Sequence, residues 1–401
     1  MIQTEFQTQL DHIRYSRDAV HGYSKSIGKL FDLTEGYIDE AENQARNGRK
    51  AVWTLGGWEI PLIYASHTIP VAFSEVGRIS GQEAISIAED YYQVPVETCS
   101  MVKCSLGEWY LRRDSPINRI FGSSASCEPF NLAWEIMKKE GYDVYTIDVV
   151  YRAPGVGGDR YEQLVRYFVD EIYDFSEWLT DGGRLDEKAL SLEIARRNQL
   201  MAKIRRIMDL RVKHPLYIKS LAIMYLLGGL SHYFGNPEAF TELVDGLLEE
   251  LEGLPEDPYE RDNVIPLVWA GGRGQEFGVY EAIDNAGGAL LGFVSTPYEK
   301  DYREDIPPVE SLARFVLDGQ MAGASIYRRH VIEHQIKSLN AKGLILYGYL
   351  GCSFGSVARE MFREYFHKKG IPSINLEGTY QTGSPTGQLL TRIKAFIEML
   401  S

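Results

Sequence analysis

Short apolar runs alternate with helix-compatible stretches from residue 51 to residue 159. The runs are bounded by Gly, Pro or polar turns, and they are residues 51–55, 70–73, 119–121 and 144–151. Residues 80–91 and 131–140, which lie between them, have the spacing of amphipathic helices. Strands that alternate with helices in this way are typical of an α/β layer, so we expect a first α/β lobe here.

Helical periodicity then continues almost without interruption over residues 160–258. Its clearest apolar face has steps of four, seven, three and four residues, which places its members on one side of a helix: Leu190, Ile194, Met201, Ile204 and Met208. Asp181-Gly182-Gly183 and Gly235-Asn236-Pro237 are the predicted breaks between helices. The apolar face is expected to pack against a neighbouring helix.

The alternation of strands and helices returns after Gly253-Leu254-Pro255. Predicted strands are residues 264–270, 289–294, 344–350 and 373–376, with helices near 277–285, 309–317 and 357–369. Residues 1–50 are polar and helix-leaning. The predicted layout is therefore a helical arm (1–50), a first α/β lobe (51–159), a helical segment (160–258) and a second α/β lobe (259–401).

Composition and charge narrow the classes of function. The 401 residues carry a net charge of −14, which opposes binding to nucleic acid or to an anionic membrane. The longest apolar stretches, 221–230 and 343–350, are far shorter than the roughly 20 residues of a membrane-spanning helix. The N-terminus does not resemble a secretory signal, so the cytoplasm is the expected compartment.

The four cysteines are candidate metal ligands. Cys127 and Cys352 each follow a predicted strand and precede a helix, where loops of an open α/β sheet line the ligand crevice. Cys99 and Cys104 lie near a predicted helix start, where backbone N–H groups favour a thiolate. No ferredoxin-type run or paired C-x-x-C pattern is present. The residues alone therefore leave both buried thiols and cluster ligands open.

Three further groups of residues carry candidate chemistry. Gly271, Gly272 and Gly274 form a glycine-rich turn between a strand and a helix, which is suited to an anion such as a CoA phosphate but also to a simple tight turn. Glu128 and Glu377 are candidate proton-handling groups or helix caps. Seven cations could bind phosphate or an acidic partner, or form a solvated helix face: Arg196, Arg197, Lys203, Arg205, Arg206, Arg211 and Lys213.

The sequence around the cysteines and at the C-terminus resembles the 2-hydroxyacyl-CoA dehydratase and benzoyl-CoA reductase family. The stretches that carry the resemblance are 61–71, 97–103, 370–377 and 387–398, and the helical stretches 187–208 and 240–251 are also similar. The resemblance extends from about residue 50 to the end. It implies two flavodoxin-like (Rossmann-like) lobes with parallel sheets and a helical portion.

The resemblance also implies a cofactor, a substrate class and partners. Cys99, Cys127 and Cys352 match the three cysteines that hold a [4Fe-4S] cluster. Cys104 matches no ligand position and is expected to be a structural thiol or a neighbour of the cluster, with a ligand role in place of Cys99 as the alternative. The expected substrate is an acyl-CoA thioester that undergoes one-electron reduction, leading to 2-hydroxyacyl-CoA dehydration or aromatic ring reduction. Expected partners are a homologous second subunit and an ATP-dependent iron–sulfur activator. No G-x-x-x-x-G-K-[ST] phosphate loop occurs in this chain.

Two points in the resemblance leave roles open. Several relatives carry a hydroxyl or a cysteine in a turn just ahead of the first lobe's helix. The corresponding stretch in this chain is Thr54-Leu-Gly-Gly-Trp-Glu59. Ser66, His67 or a water is therefore the candidate group beside the open iron. His67 replaces a small residue and is a candidate proton or hydrogen-bond donor, although a buried structural histidine is the alternative.

A non-catalytic electron-relay or scaffold subunit and a double-cubane reductase are the alternative functions.

Overall fold

The structure is a computed structural model. It describes residues 13–14, 17, 24–72, 81–123, 127–150, 152–256, 262–274, 276–294, 300–319, 322–353, 355–380 and 385–401. Most of the predicted arm before residue 24 lies outside the described residues, as do Phe73, Ser80 and Tyr151 at the ends of three predicted elements.

The first lobe is an α/β layer preceded by a long helix. Helix α1 (Lys25–Arg46) begins at Ser24, whose hydroxyl accepts a hydrogen bond from the N–H of Ile27. The following elements are β1 (Ala51–Thr54), α2 (Ile60–Ala65), β2 (Ile69–Ala72), α3 (Gln82–Ser86, extended by one π-helical turn), α4 (Ser100–Leu111), β3 (Arg119–Ser123), α5 (Glu128–Lys139) and β4 (Asp143–Ile147).

Four helices then form the segment that was predicted to be helical. They are α6 (Gly158–Leu179), α7 (Glu187–Lys213), α8 (Ser220–Gly229) and α9 (Pro237–Glu252). Both predicted breaks are present, and the chain also leaves the helix between α7 and α8. All five members of the apolar face of α7 are buried, and α7 packs against α2, α9 and a helix of the second lobe.

The second lobe repeats the architecture of the first. It consists of β5 (Ile265–Gly271), α10 (Gly278–Asn285), β6 (Gly288–Phe293), α11 (Pro308–Leu317), α12 (Ser325–Ser338), β7 (Gly343–Tyr349), α13 (Arg359–Lys368), β8 (Ser373–Gly378) and α14 (Gly387–Leu400). None of the helices in the described part of the chain combines the length and the apolar character needed to cross a bilayer.

Both sheets are parallel and have the same strand order. The first is β2-β1-β3-β4 and the second is β6-β5-β7-β8, with Trp53 opposite Ile120 and Leu267 opposite Gly343 in the central pairs. The order reverses between β1 and β3 and between β5 and β7, and ligands of such sheets bind at the carboxyl ends of the strands at this switch point. The predicted pair of flavodoxin-like lobes is confirmed.

Candidate functional site

A pocket of about 440 Å³ lies between the two lobes. Its walls come from the loops that follow the central strands of both sheets, so the two switch points open onto the same space. The first lobe contributes residues 55–59 after β1 and Cys127 after β3. The second lobe contributes Gly271 at the end of β5, Gly272 after it, and Cys352 after β7.

Three of the four cysteines line this pocket. Cys99 is the N-cap residue of α4, and Cys127 is the N-cap residue of α5. Cys352 lies in the turn after β7. Cys99 is buried, whereas Cys127 and Cys352 are partly exposed. The structure therefore brings together thiols that are separated by as many as 253 positions (352 minus 99).

Close contact between two loops places Cys99 beside Cys352. The N–H of Ser100 donates to the carbonyl oxygen of Leu350 at 3.2 Å, and the Ser100 hydroxyl accepts from the N–H of Tyr380 at 3.0 Å. Gly351 has a φ of 77°, and a Cβ at this position would lie 2.4 Å from the carbonyl oxygen of Glu97. Only glycine allows the backbones to approach this closely in this conformation.

Gly351→Ala is therefore expected to separate the two loops. The comparison variant is Gly370→Ala, because Gly370 has a φ of 75° but nothing within 4 Å of its added Cβ. Gly370→Ala should cost about 1–2 kcal/mol from the backbone conformation alone. Gly351→Ala should cost more and also lower the iron content of anaerobically prepared protein. Equal losses of stability and unchanged iron in both variants would contradict this account of the loop contact.

Backbone N–H groups reach the sulfur of each of the three cysteines. The thiol of Cys99 accepts from the N–H groups of Met101 and Val102, and that of Cys127 accepts from Phe130. The N–H of Gly355 donates to Sγ of Cys352 at 3.2 Å. Such donors stabilise a thiolate and tune an iron–sulfur centre that it binds.

The N–H donors lower the pKa values of the thiols, whereas burial and the contact between Cys99 and Cys352 raise them. The hydrogen bond with Cys352 raises the pKa of Cys99, and burial raises it further. Burial also raises the pKa of Cys127, with a smaller contribution from Cys352. Thiols that share a buried space in this way hold their protons until a metal replaces them, so binding of the metal releases protons.

Three cysteine sulfurs line the pocket, and cysteine sulfur is the donor that iron–sulfur clusters require. Among the described residues, no three His, Cys, Asp or Glu side chains surround one position as the ligands of a single metal ion would. In a cubane each thiolate binds a different iron, so its ligands surround a larger volume. Soft sulfur donors with N–H partners, arranged around an interlobe pocket, have the chemistry that such a cluster requires.

Cys104 lies apart from this group. It is fully buried on α4 within the apolar core, and burial raises its pKa. It does not line the interlobe pocket. Its environment is that of a structural thiol.

Glu59 is a pocket residue that the sequence analysis did not select. It is the N-cap residue of α2 and is 3% exposed. The hydroxyl of Thr54 donates to its carboxylate, and no cation among the described residues forms an ion pair with it. Burial raises the pKa of Glu59, and the Thr54 hydrogen bond opposes this only in part. The only sequence signal was its place between the first strand and the Ile60-Pro61 helix start.

The remaining pocket wall is mainly apolar. Contributors include Leu55, Trp58, Met101, Phe121, Phe130, Val294, Ile332, Leu346 and Phe362. Two cations, Arg328 and Arg359, also line it. Arg359 donates to Glu377 at 2.8 Å and to the carbonyl oxygen of Leu376. A largely apolar space with few polar groups limits water and strengthens electrostatic interactions within it.

Comparison with known families identifies this architecture. The model of the family described as 2-hydroxyglutaryl-CoA dehydratase, D-component matches residues 60–400. The chain belongs to this family. The matched region includes Cys99, Cys127 and Cys352 and both sheets except the strand β1. No curated protein matches the chain.

Within this family member, Ser66 and His67 lie away from the pocket. They follow α2, which runs back from the carboxyl edge of the first sheet, and precede the start of β2. The Ser66 hydroxyl donates to the carbonyl oxygen of Leu62 at 2.9 Å, and His67 is exposed. Neither residue lines the pocket, so the structure does not bring them to the three cysteines. The hydroxyl in the 54–59 turn belongs to Thr54 and binds Glu59.

The glycine-rich turn is divided between two environments. Gly271 and Gly272 line the interlobe pocket, and a Cβ on Gly271 would lie 1.9 Å from the carbonyl oxygen of Tyr347. Gly274 instead borders a separate small cavity, and its carbonyl oxygen accepts from the hydroxyl of Tyr280 at 3.2 Å. The close backbone contact gives Gly271 a structural reason to be glycine, whatever it binds.

The basic run on α7 is mostly neutralised. The cations that are not buried each pair with a carboxylate outside α7: Arg196 with Glu238, Lys203 with Asp245, Arg205 with Asp301, Arg206 with Glu252 and Lys213 with Glu256. Arg197 and Arg211 are buried and donate to backbone carbonyl groups. Of the two glutamates, Glu128 is exposed and Glu377 pairs with Arg359. Three of the five ion pairs, those of Arg196, Lys203 and Arg206, therefore join α7 to α9.

Proposed function

We propose that the chain is the iron–sulfur subunit of a CoA-ester dehydratase that removes water from a 2-hydroxyacyl-CoA. The observation that carries the proposal is that Cys99, Cys127 and Cys352 line one pocket at the switch points of both sheets. Family membership supports dehydration of a CoA ester as the reaction. The proposed partners are a homologous second subunit and an ATP-dependent activator that delivers the electron.

The three cysteines would hold a [4Fe-4S] cluster through three of its irons. When bound, such a cluster supplies a low-potential electron and an iron with an open coordination position. The N–H groups of Met101, Phe130 and Gly355 orient the thiolates and offset their negative charge. The apolar wall keeps water away from the thioester, which favours loss of the hydroxyl group over side reactions.

Glu59 is the proposed proton-handling residue. Dehydration breaks the bond from carbon 2 to its hydroxyl group and a C–H bond at carbon 3, so a proton has to leave carbon 3 while the hydroxyl group leaves as water. A carboxyl that lines the pocket and whose pKa is raised by burial is suited to hold a proton and to exchange it with a bound substrate. The Thr54 hydroxyl fixes the orientation of this carboxyl.

Anaerobic reconstitution tests the proposed function. The purified chain, its co-purified partner, the activator and ATP are mixed with a series of 2-hydroxyacyl-CoA esters, and formation of the 2-enoyl-CoA is followed by chromatography. We expect enoyl-CoA only when activator and ATP are both present. If the complete system converts no CoA ester, or if the partner turns over without this chain, the chain is not the catalytic subunit.

A further inference from the structure

Two cations, Arg152 and Lys300, both lie within ion-pair distance of Asp318. Arg152 follows β4 and Lys300 follows β6, which are the strands beside the central pairs of their sheets. Both residues therefore lie at the carboxyl edge that also forms the pocket. Asp318, at the end of α11, lies between them.

One carboxylate, that of Asp318, forms an ion pair with both cations, and both ion pairs are longer than a hydrogen bond. Asp318 lies 3.8 Å from Arg152 and 3.8 Å from Lys300, and its Oδ1 already accepts from the Tyr161 hydroxyl at 2.8 Å. Nearby Arg314 differs, because Glu162 and Glu310 each bind it at 2.7 Å. The positive charge of the Arg152–Lys300 pair is thus only partly neutralised by the described residues.

Both side chains have donors left for a ligand. Within the described residues, Nε of Arg152 is buried without a hydrogen-bond partner. Nζ of Lys300 has three donors, and one of them contacts the carbonyl oxygen of Phe315 at 3.3 Å. Burial lowers the pKa of Lys300, and the charge of Arg152 contributes to this shift. An anion in contact with both cations would add the negative charge that the single carboxylate of Asp318 does not supply.

The position of Arg152 is fixed by both lobes. Its N–H donates to the carbonyl oxygen of Ala322 at 2.7 Å, and its guanidinium lies 4.8 Å from the ring centroid of Tyr327. A Cβ on Gly323 would lie 2.5 Å from the Tyr327 ring, so this stacking requires glycine at 323. The site is therefore held in place by the fold and does not depend on a flexible surface side chain.

The cation pair and the pocket are both in contact with the first turn of α12. Tyr327, which stacks on Arg152, is followed by Arg328, and Arg328 lines the pocket on the first turn of α12. Val294, at the end of β6, also lines it. The pocket and the cation pair therefore share the carboxyl edge of the sheets and one turn of α12.

We propose that Arg152 and Lys300 bind the phosphate groups of the CoA moiety, with the thioester end of the same ligand in the interlobe pocket. This inference rests on the proposed function and deepens it by assigning the anionic part of the substrate to named residues. A planar guanidinium with a lysine ammonium beside it suits phosphate oxygens in both geometry and charge.

Binding measurements on the anaerobically prepared chain test this assignment. The probes are CoA, 3′-dephospho-CoA, pantetheine and inorganic phosphate, and their affinities are measured by calorimetry for the wild type, Arg152→Gln and Lys300→Gln. Lys337→Gln is the matched control, because Lys337 is 73% exposed and its ion pair among the described residues is with Glu333 on its own helix. Thermal unfolding of each variant checks its folding.

Each substitution should weaken CoA binding by about tenfold or more, as expected for a hydrogen bond to a charged group. Pantetheine, which has no phosphate, should bind both variants as it binds the wild type, and Lys337→Gln should change nothing. A wild-type protein that binds CoA no better than pantetheine overturns the assignment without any variant. So do variants that bind CoA normally, or inorganic phosphate that alone binds as tightly as CoA.

Failure of this inference can be told apart from failure of the proposed function. If the wild type binds CoA but the two variants bind it equally well, only the phosphate assignment is wrong. If the wild type binds neither CoA nor any CoA ester, the proposed function itself is wrong.

Discussion

Cys352→Ser is expected to lose the cluster and all dehydratase activity. Cys352 lines the pocket beside Cys99 and accepts an N–H hydrogen bond from Gly355, and serine replaces a soft thiolate with a weak oxygen donor. We expect iron and sulfide to fall to trace amounts and activity to fall more than about 100-fold, since even loss of a ligand's hydrogen-bond partner costs about 10- to 100-fold. Iron and sulfide analysis of anaerobic protein checks this.

Cys104→Ser is the control, because it makes the same substitution at a cysteine that does not line the pocket. Cys104 is fully buried but is separate from the pocket, so the new hydroxyl should cost about 1–3 kcal/mol of stability without affecting the cluster. A Cys104→Ser protein that loses its iron while Cys352→Ser keeps it would reverse the assignment of the ligands.

Glu59→Gln is expected to have the largest effect among substitutions that leave the cysteines intact. The amide keeps the size of the side chain and can still accept from Thr54, but it carries no proton to exchange. We expect kcat to fall by about 10²- to 10⁴-fold, as for loss of a general acid or base. The pH profile should lose the limb that reports this carboxyl, while iron content stays at the wild-type level.

Glu59→Gln is also expected to change how the free energy of unfolding depends on pH. Because the folded protein raises the pKa of Glu59 above 4.5, the native state keeps this proton where the unfolded chain has lost it. The wild type therefore loses free energy of unfolding as the pH rises from 4.5 to the raised pKa. Glu59→Gln should not show this loss. Glu398→Gln, at a position of α14 whose side chain is 63% exposed, should match the wild type in both assays.

Much of the fold was predictable because its strands are short, apolar and bounded by turn residues. All eight predicted strands overlap observed ones, and the α7 face from Leu190 to Met208 is buried as its periodicity indicates. Helix α2 was missed because its six residues are too few for a periodic pattern and are all buried. Helix α12 was missed for a different reason, since its cations and histidines leave it without a clear apolar face.

The site was less predictable because it depends on how the two lobes dock. The strand-to-helix position of Cys127 and Cys352 was visible in the sequence, and the shared carboxyl edge of parallel strands places both at the pocket. The contact of Gly351 with the Glu97 carbonyl links segments 254 positions apart (351 minus 97), and no local pattern encodes it. The burial of Glu59 likewise depends on its neighbours in the fold.

The central claim is that three distant thiolates hold one cubane with a free iron. The most direct test is Mössbauer spectroscopy of ⁵⁷Fe-enriched chain prepared without oxygen, together with its iron and acid-labile sulfide content. The account predicts four iron and four sulfide per chain, with one iron site distinct from the other three. Protein that contains no sulfide, or a cluster that persists when Cys99, Cys127 and Cys352 are all serine, would contradict it.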